Sequence, residues 1–287
     1  MKPKYLCLTI SFLLFFNMNV FGTLIIMIPT KDGIIVAADS RVTIANTYID
    51  GIQKIRKLNN LNIVFGVTGA STFLPLARNV DPVEYFKTSP RLFNALDEFE
   101  KVLMSVKPRR IDTQVFTEVI GKLIPVVQSF LSKNPSHVNI LRLRGKEIFN
   151  PVLAQFNPKT QESTLASAWL TIGENGSIEI EKLIVDIVKS TNEVMFKPCG
   201  EREYFMKTVL QGPGRQYLGA KYFNILNTSL QIATLDYKDG AFLAITSIEA
   251  ASKTTEIVPT ETKIGGPIKI YLITGVSPNS IRELENN

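Results

Sequence analysis

Histidine is almost missing from this chain of 287 residues: His137 is the only one, and cysteine is nearly as scarce, with Cys7 and Cys199 alone. A serine or cysteine hydrolase with an imidazole base would have to be built around His137, which follows Asn-Pro-Ser at an expected helix-to-strand turn. A zinc site made of histidine and cysteine lacks the ligands. Cys7 lies near the start, so a chain trimmed there keeps Cys199 alone and forms no internal disulfide. Charge is missing in blocks as well. The formal net charge is +6, yet Lys and Arg are scattered, and Lys107 to Arg110 is the one tight basic cluster. Such a cluster reads as a solvated loop, not as a nucleic-acid surface. There is no internal repeat, low-complexity tract or linker. Any hydrolytic chemistry must take its base from a carboxylate, a lysine or a chain terminus.

What is present begins at the N-terminus. Lys2 and Lys4 precede an apolar run over residues 5–16, and Val20 and Gly22 flank a cut, the layout of a secretory signal peptide over residues 1–22. Cleavage after Gly22 makes Thr23 the first residue of an exported protein, periplasmic or secreted, that meets the membrane only in transit. A leading threonine joins nucleophile and base. Its α-amine, with an ordinary pKa of about 7.7–8.0, is partly neutral near pH 7 and can take the proton of the same residue's hydroxyl. An uncleaved chain carries an amide there instead. The alternative of a membrane anchor over residues 5–28 is interrupted by Asn17 and Asn19.

The remainder, with the chain 45% hydrophobic, suits one large globular domain over residues 23–274 and a tail over 275–287. Apolar runs at residues 23–28, 34–38, 54–58 and 62–68, parted by Lys-Asp-Gly, Asp-Gly and Asn-Asn, predict four strands. Apolar residues at helical spacing predict helices over 92–106 and 112–133, the second capped by Asp112 and kinked at Pro125. Strands are expected at 138–143, 152–156, 168–172 and 178–184, helices at 217–226 and 240–253, and a last strand at 268–273. This order is that of an α+β sandwich in which helical layers cover stacked sheets.

A set of residues in order then carries a resemblance. Gly22-Thr23, Lys31-Asp32-Gly33 through Ala37-Ala38-Asp39-Ser40-Arg41, Gly51-Ile52-Gln53-Lys54-Ile55 and Val67-Thr68-Gly69-Ala70 resemble the opening of proteasome β-type subunits and related bacterial N-terminal-nucleophile hydrolases. The resemblance implies a four-layer αββα fold, Thr23 as nucleophile, Asp39 and Lys54 as its supporting pair, and Gly69 as the backbone donor to a developing oxyanion. Lys54 lies one residue nearer to Thr23 than the family spacing, which leaves Lys57 as the alternative. More faintly, Gly212-Pro213-Gly214 is similar to the family's Gly-Ser-Gly, and Glu261 to Gly266 to its Asp-x-x-Ser-Gly-Gly. Pro213 and Ile264 thus stand where hydroxyls are expected, and neither offers a side-chain hydrogen bond. Taken singly, Asp39 also reads as a turn cap, Lys54 as a strand-edge residue and Gly69 as a turn. Gly212-Pro213-Gly214 lacks the further residues of a phosphate loop.

The expectation is a threonine-type amide hydrolase acting on a peptide or small amide through an ester on Thr23. It needs no metal or organic cofactor, and the resemblance implies a homo-oligomer, with a ring among its forms. A non-catalytic ring or binding subunit of the same fold is the alternative. N-terminal sequencing of protein recovered from the exported fraction should give Thr23 first; any other start removes the terminal amine from the mechanism.

Overall fold

The computed structural model describes residues 23–44, 47–77, 80–143, 147–189, 195–232, 235–258, 263–275 and 280–285. The expected signal peptide and Glu261 lie outside these residues. The chain opens with β1 (Leu24–Thr30), β2 (Gly33–Ala38), β3 (Val42–Ile44), β4 (Thr47–Ile49), β5 (Ile55–Leu58), β6 (Ile63–Gly69) and β7 (Thr72–Phe73). Next come α1 (Pro82–Thr88), β8 (Phe93–Asn94), α2 (Ala95–Val106), α3 (Thr113–Lys133) and α4 (Pro135–Leu143). Three long strands follow, β9 (Glu147–Asn157), β10 (Glu162–Ile172) and β11 (Ile178–Lys189), and then the short β12 (Lys197–Gly200). The rest is α5 (Arg202–Tyr204), a π-helical turn (Phe205–Leu210), a 3-10 turn (Pro213–Tyr217), α6 (Gly219–Ile232), α7 (Tyr237–Ile257), β13 (Lys269–Ile273) and β14 (Ile281–Leu284).

The fold is mixed α+β. One five-stranded sheet has the order β12-β1-β2-β13-β14 and the other β11-β10-β9-β6-β5, with antiparallel neighbours throughout. Three apolar clusters explain the sequence pattern. One joins Ile25, Met27 and Val36 of the first sheet to Val64, Val152 and Leu165 of the second. Another sets Leu24, Ile26 and Ile35 against Leu243 and Ile248 of α7, and a third sets Phe65 and Leu153 against Phe99 of α2 and Phe116 of α3. Strands β1 and β2 are therefore buried on both faces, which is why they read as unbroken apolar runs rather than alternating ones.

In α3 the buried face is Phe116, Val119, Ile120, Leu123 and Val127, and Asp112 accepts from the Val115 N–H at 2.9 Å as its cap. Pro125 sits inside this one continuous helix. Residues 138–143, expected as a strand, are helical: α4 starts at Pro135, a good first helical position, and buries His137, Ile140 and Leu141 at helical spacing. Within the expected tail, β14 pairs with β13 (Ile273 opposite Ile281) and so completes the first sheet. Residues 24–28 are strand, so an anchor helix reaching residue 28 is incompatible with this sheet.

The start of β1 is held from its outer side by β12, with Leu24 opposite Gly200. Gly200 has φ +87°, and a Cβ there would lie 2.0 Å from the Thr23 carbonyl oxygen. Gly200→Ala should lower unfolding free energy by about 3 kcal/mol or more through strain and overlap. By contrast Gly121→Ala, inside α3 with nothing within 4 Å of a new Cβ, should add about 0.5–1 kcal/mol. Urea unfolding of both variants checks the pair of signs.

Candidate active site

The junction of β1 with its neighbours brings the predicted residues together. Thr23 is buried, and its carbonyl accepts from the Glu201 N–H at 3.2 Å. The next residue, Leu24, donates its N–H to Asp39 Oδ1 at 2.9 Å and accepts the Asp39 N–H at 3.3 Å. Asp39 follows the last residue of β2, so the β1–β2 pairing carries its carboxylate to the start of β1.

Lys54 arrives from the second sheet, one residue before β5, where its carbonyl accepts the Val67 N–H at 3.2 Å. Its Nζ donates to Asp39 Oδ1 and Oδ2 at 3.2 and 3.3 Å and to the Arg41 carbonyl. Both side chains are essentially fully buried. Lys57 is exposed on β5, so Lys54 is the lysine that meets Asp39. The segment after α7 completes the arrangement: the Gly265 N–H donates to Asp39 Oδ2 at 3.2 Å, and its carbonyl accepts from the Ser40 and Arg41 N–H groups at 3.1 and 2.9 Å.

Electrostatics follow from burial. Loss of water pushes the Asp39 carboxyl above the usual carboxylate range, against the Lys54 charge and the Leu24 and Gly265 N–H bonds, which pull it down. Burial likewise pushes the Lys54 ammonium down, opposed first by Asp39 and then by the charges of Glu201 and Asp50. Two buried titratable groups pushed in opposite directions, with the Asp39 carboxylate on the N–H next to Thr23, mark a candidate site for proton transfer.

The other expectations fare differently. Gly69 ends β6 with φ +84°, and a Cβ would lie 3.0 Å from Phe149 Cα. Packing against β9 and the positive φ therefore both require a residue without a side chain here. Ile264 is fully buried in the α7 cluster, where its side chain fills apolar space. Pro213 opens the 3-10 turn, whose Gly214 packs on Thr254 of α7. His137 is buried, with Nε2 3.0 Å from the Leu74 carbonyl and its ring beside Phe73 and Phe130; burial lowers its pKa, and its role is structural.

The sequence reading missed Gly200 and Glu201. They line a cavity of about 620 Å³ together with Glu147, Trp169, Glu181 and Tyr204. A smaller cavity of about 180 Å³ is lined by Lys54 together with Arg56, Val67, Ser71 and Arg91 among others. A glycine followed by an acid, Gly200-Glu201, is the only local signal in the sequence, and nothing in it ties these residues to residue 23.

No protein-family model matches the chain, and no curated protein matches it. The solved structures similar to it include Anbu from Hyphomicrobium sp. strain MC1, in a mutant form (13% identity, TM-score 0.46, 92% of this chain and 86% of that one). A second Anbu structure from the same organism gives 13% identity and a TM-score of 0.43, covering 92% of this chain and 88% of that one. These values carry no argument about activity. The expected membership among divergent proteasome β-type subunits is therefore corrected: sequence-level family evidence is absent, and the ordered residues stand on their own geometry.

That geometry makes a stability prediction. Lys54→Met leaves Asp39 buried without its cation and should cost about 3–5 kcal/mol at neutral pH, whereas Asp39→Asn with Lys54→Met should recover most of it. Because burial raises Asp39 in the folded state, that state binds the proton more tightly, so the cost of the single variant should fade as pH falls through the Asp39 pKa. Urea unfolding of both variants across pH reads both effects.

Proposed function

We propose that the mature protein is a threonine-type N-terminal-nucleophile hydrolase of amide bonds, built as a four-layer αββα sandwich and exported by cleavage after Gly22. The observation that carries this reading is the buried Asp39–Lys54 pair, whose carboxylate also holds the Leu24 N–H directly after Thr23. The two interlayer clusters and the cluster shared by the sheets support the layered arrangement.

In the reaction, the Thr23 α-amine takes the hydroxyl proton as Oγ attacks the substrate carbonyl. The tetrahedral oxyanion is met by the Gly69 N–H. The C–N bond breaks, the amine leaves with the proton, and an ester remains on Thr23. Water, deprotonated by the same amine, then attacks the ester carbonyl and releases the acid. Positive charge on Lys54 favours the neutral amine and lowers the cost of ionising the hydroxyl. Asp39 keeps that ammonium oriented. The substrate is a peptide or small amide entering beside Gly200 and Glu201, no cofactor takes part, and Glu261 is the weaker supporting residue.

A second reading, a non-catalytic ring or binding subunit, is favoured by one observation: Ile264 fills a core where a hydroxyl was expected. Electrophiles separate the two. A β-lactone or peptide epoxyketone should add to Thr23 in intact-mass and peptide-mapping experiments, and the adduct should vanish in Thr23→Ala and in a form with one extra residue before Thr23. A processed, folded protein inert to such probes and to peptide substrates supports the non-catalytic reading.

A further inference from the structure

Four strands end the two large sheets, and three of them, β5, β12 and β14, are four residues long, while β11 runs for 12 residues at the open edge of the second sheet. Short edges resist further pairing and long apolar ones invite it. Among the described residues, no strand pairs with the outer edge of β11. Its middle is apolar and only half-buried at Leu183, Ile184 and Val185, and Ile187 is 45% exposed. The ladder with β10 skips Glu181 and is regular from Lys182 to Lys189, so the usable edge starts at Lys182.

We propose that β11 is the interface with a second copy of this chain, paired antiparallel about a two-fold axis at Ile184. The charges select this arrangement. In it Lys182 faces the partner's Asp186 and Asp186 the partner's Lys182, on the same face as Ile184, while Leu183 meets the partner's Val185 on the other face. A parallel pairing puts Lys182 against Lys182 and Asp186 against Asp186, which repel. A slip of two residues in either direction loses both ion pairs. Asp186 Oδ2 already accepts from Lys197 at 2.7 Å within the chain, and a carboxylate has acceptor sites for a second cation. Lys182 lies over the Trp169 ring with Nζ 5.6 Å from its centroid, on an exposed side chain that can turn to the partner. The pairing does not depend on the reaction proposed at Thr23, but Lys182 and Trp169 also line the cavity beside Gly200 and Glu201, so the interface is read by association and cross-linking and not by activity.

The test uses the full mature chain. Ile184→Cys should form a covalent dimer on mild oxidation, because residue 184 faces its own copy within disulfide reach. Ile187→Cys should not, being about 20 Å from its copy in this register; buried Cys199 does not compete. By analytical ultracentrifugation, Lys182→Glu should weaken the wild-type dimer about tenfold or more, and Lys182→Glu with Asp186→Lys should restore it. Equal cross-linking at 184 and 187, no cross-linking at 184, or an unchanged dissociation constant in Lys182→Glu overturns the proposal. Circular dichroism of each variant ensures that folded proteins are compared.

Discussion

Asp39 accepts hydrogen bonds from the start of β1, from the residue before β5 and from the segment that follows α7: the Leu24 N–H, the Lys54 ammonium and the Gly265 N–H. These donors come from positions far apart in sequence. The carboxylate therefore fixes how β1 begins, where the chain enters β5 and how it returns to β13. Remove its charge, and three strand termini lose their common anchor. The Lys54 bond to the Arg41 carbonyl adds a fourth point, just beyond β2.

Such a pair is a poor investment for stability alone. Desolvating two charges costs several kcal/mol each, and well-packed apolar residues of similar volume usually do as well or better. Ile25, Ile55 and Ile264, next in the chain to Leu24, Lys54 and Gly265, are fully buried. Buried titratable groups pushed in opposite directions are what a proton-transfer site requires. Asp39 holds the N–H of the residue next to Thr23, and the proposed reaction rests on that placement.

Much of this is legible in the sequence, and the departures have physical causes. Strands β1 and β2 were readable because burial on both faces demands unbroken apolar runs, and α3 because Phe116 to Val127 repeat at 3.6 residues behind the Asp112 cap. Residues 138–143 resemble a strand because Val138 and Ile140 flank the polar Asn139, and Leu141 and Leu143 flank Arg142, as in an alternating run; the buried set is instead His137, Ile140 and Leu141. Asp39 and Lys54 were readable as an ordered set, and burial separated Lys54 from Lys57. Gly69 is legible as a glycine in an ordered motif, while its positive φ and its contact with Phe149 are visible only in the fold. Gly200 and Glu201 escaped because only the pairing of β12 with β1 brings them to Thr23. The β11 edge escaped too, since an edge is a property of sheet order and not of a strand's own sequence.

The central claim is that the Asp39–Lys54 pair sets the proton affinity of the Thr23 amine. Nitrogen-15 NMR titration of that amine, in mature protein labelled at threonine, measures it directly. The account predicts a pKa at or below the ordinary range of about 7.7–8.0, rising clearly in Lys54→Met, where the Asp39 charge remains and the ammonium is gone. An amine whose pKa is the same in both proteins would contradict it.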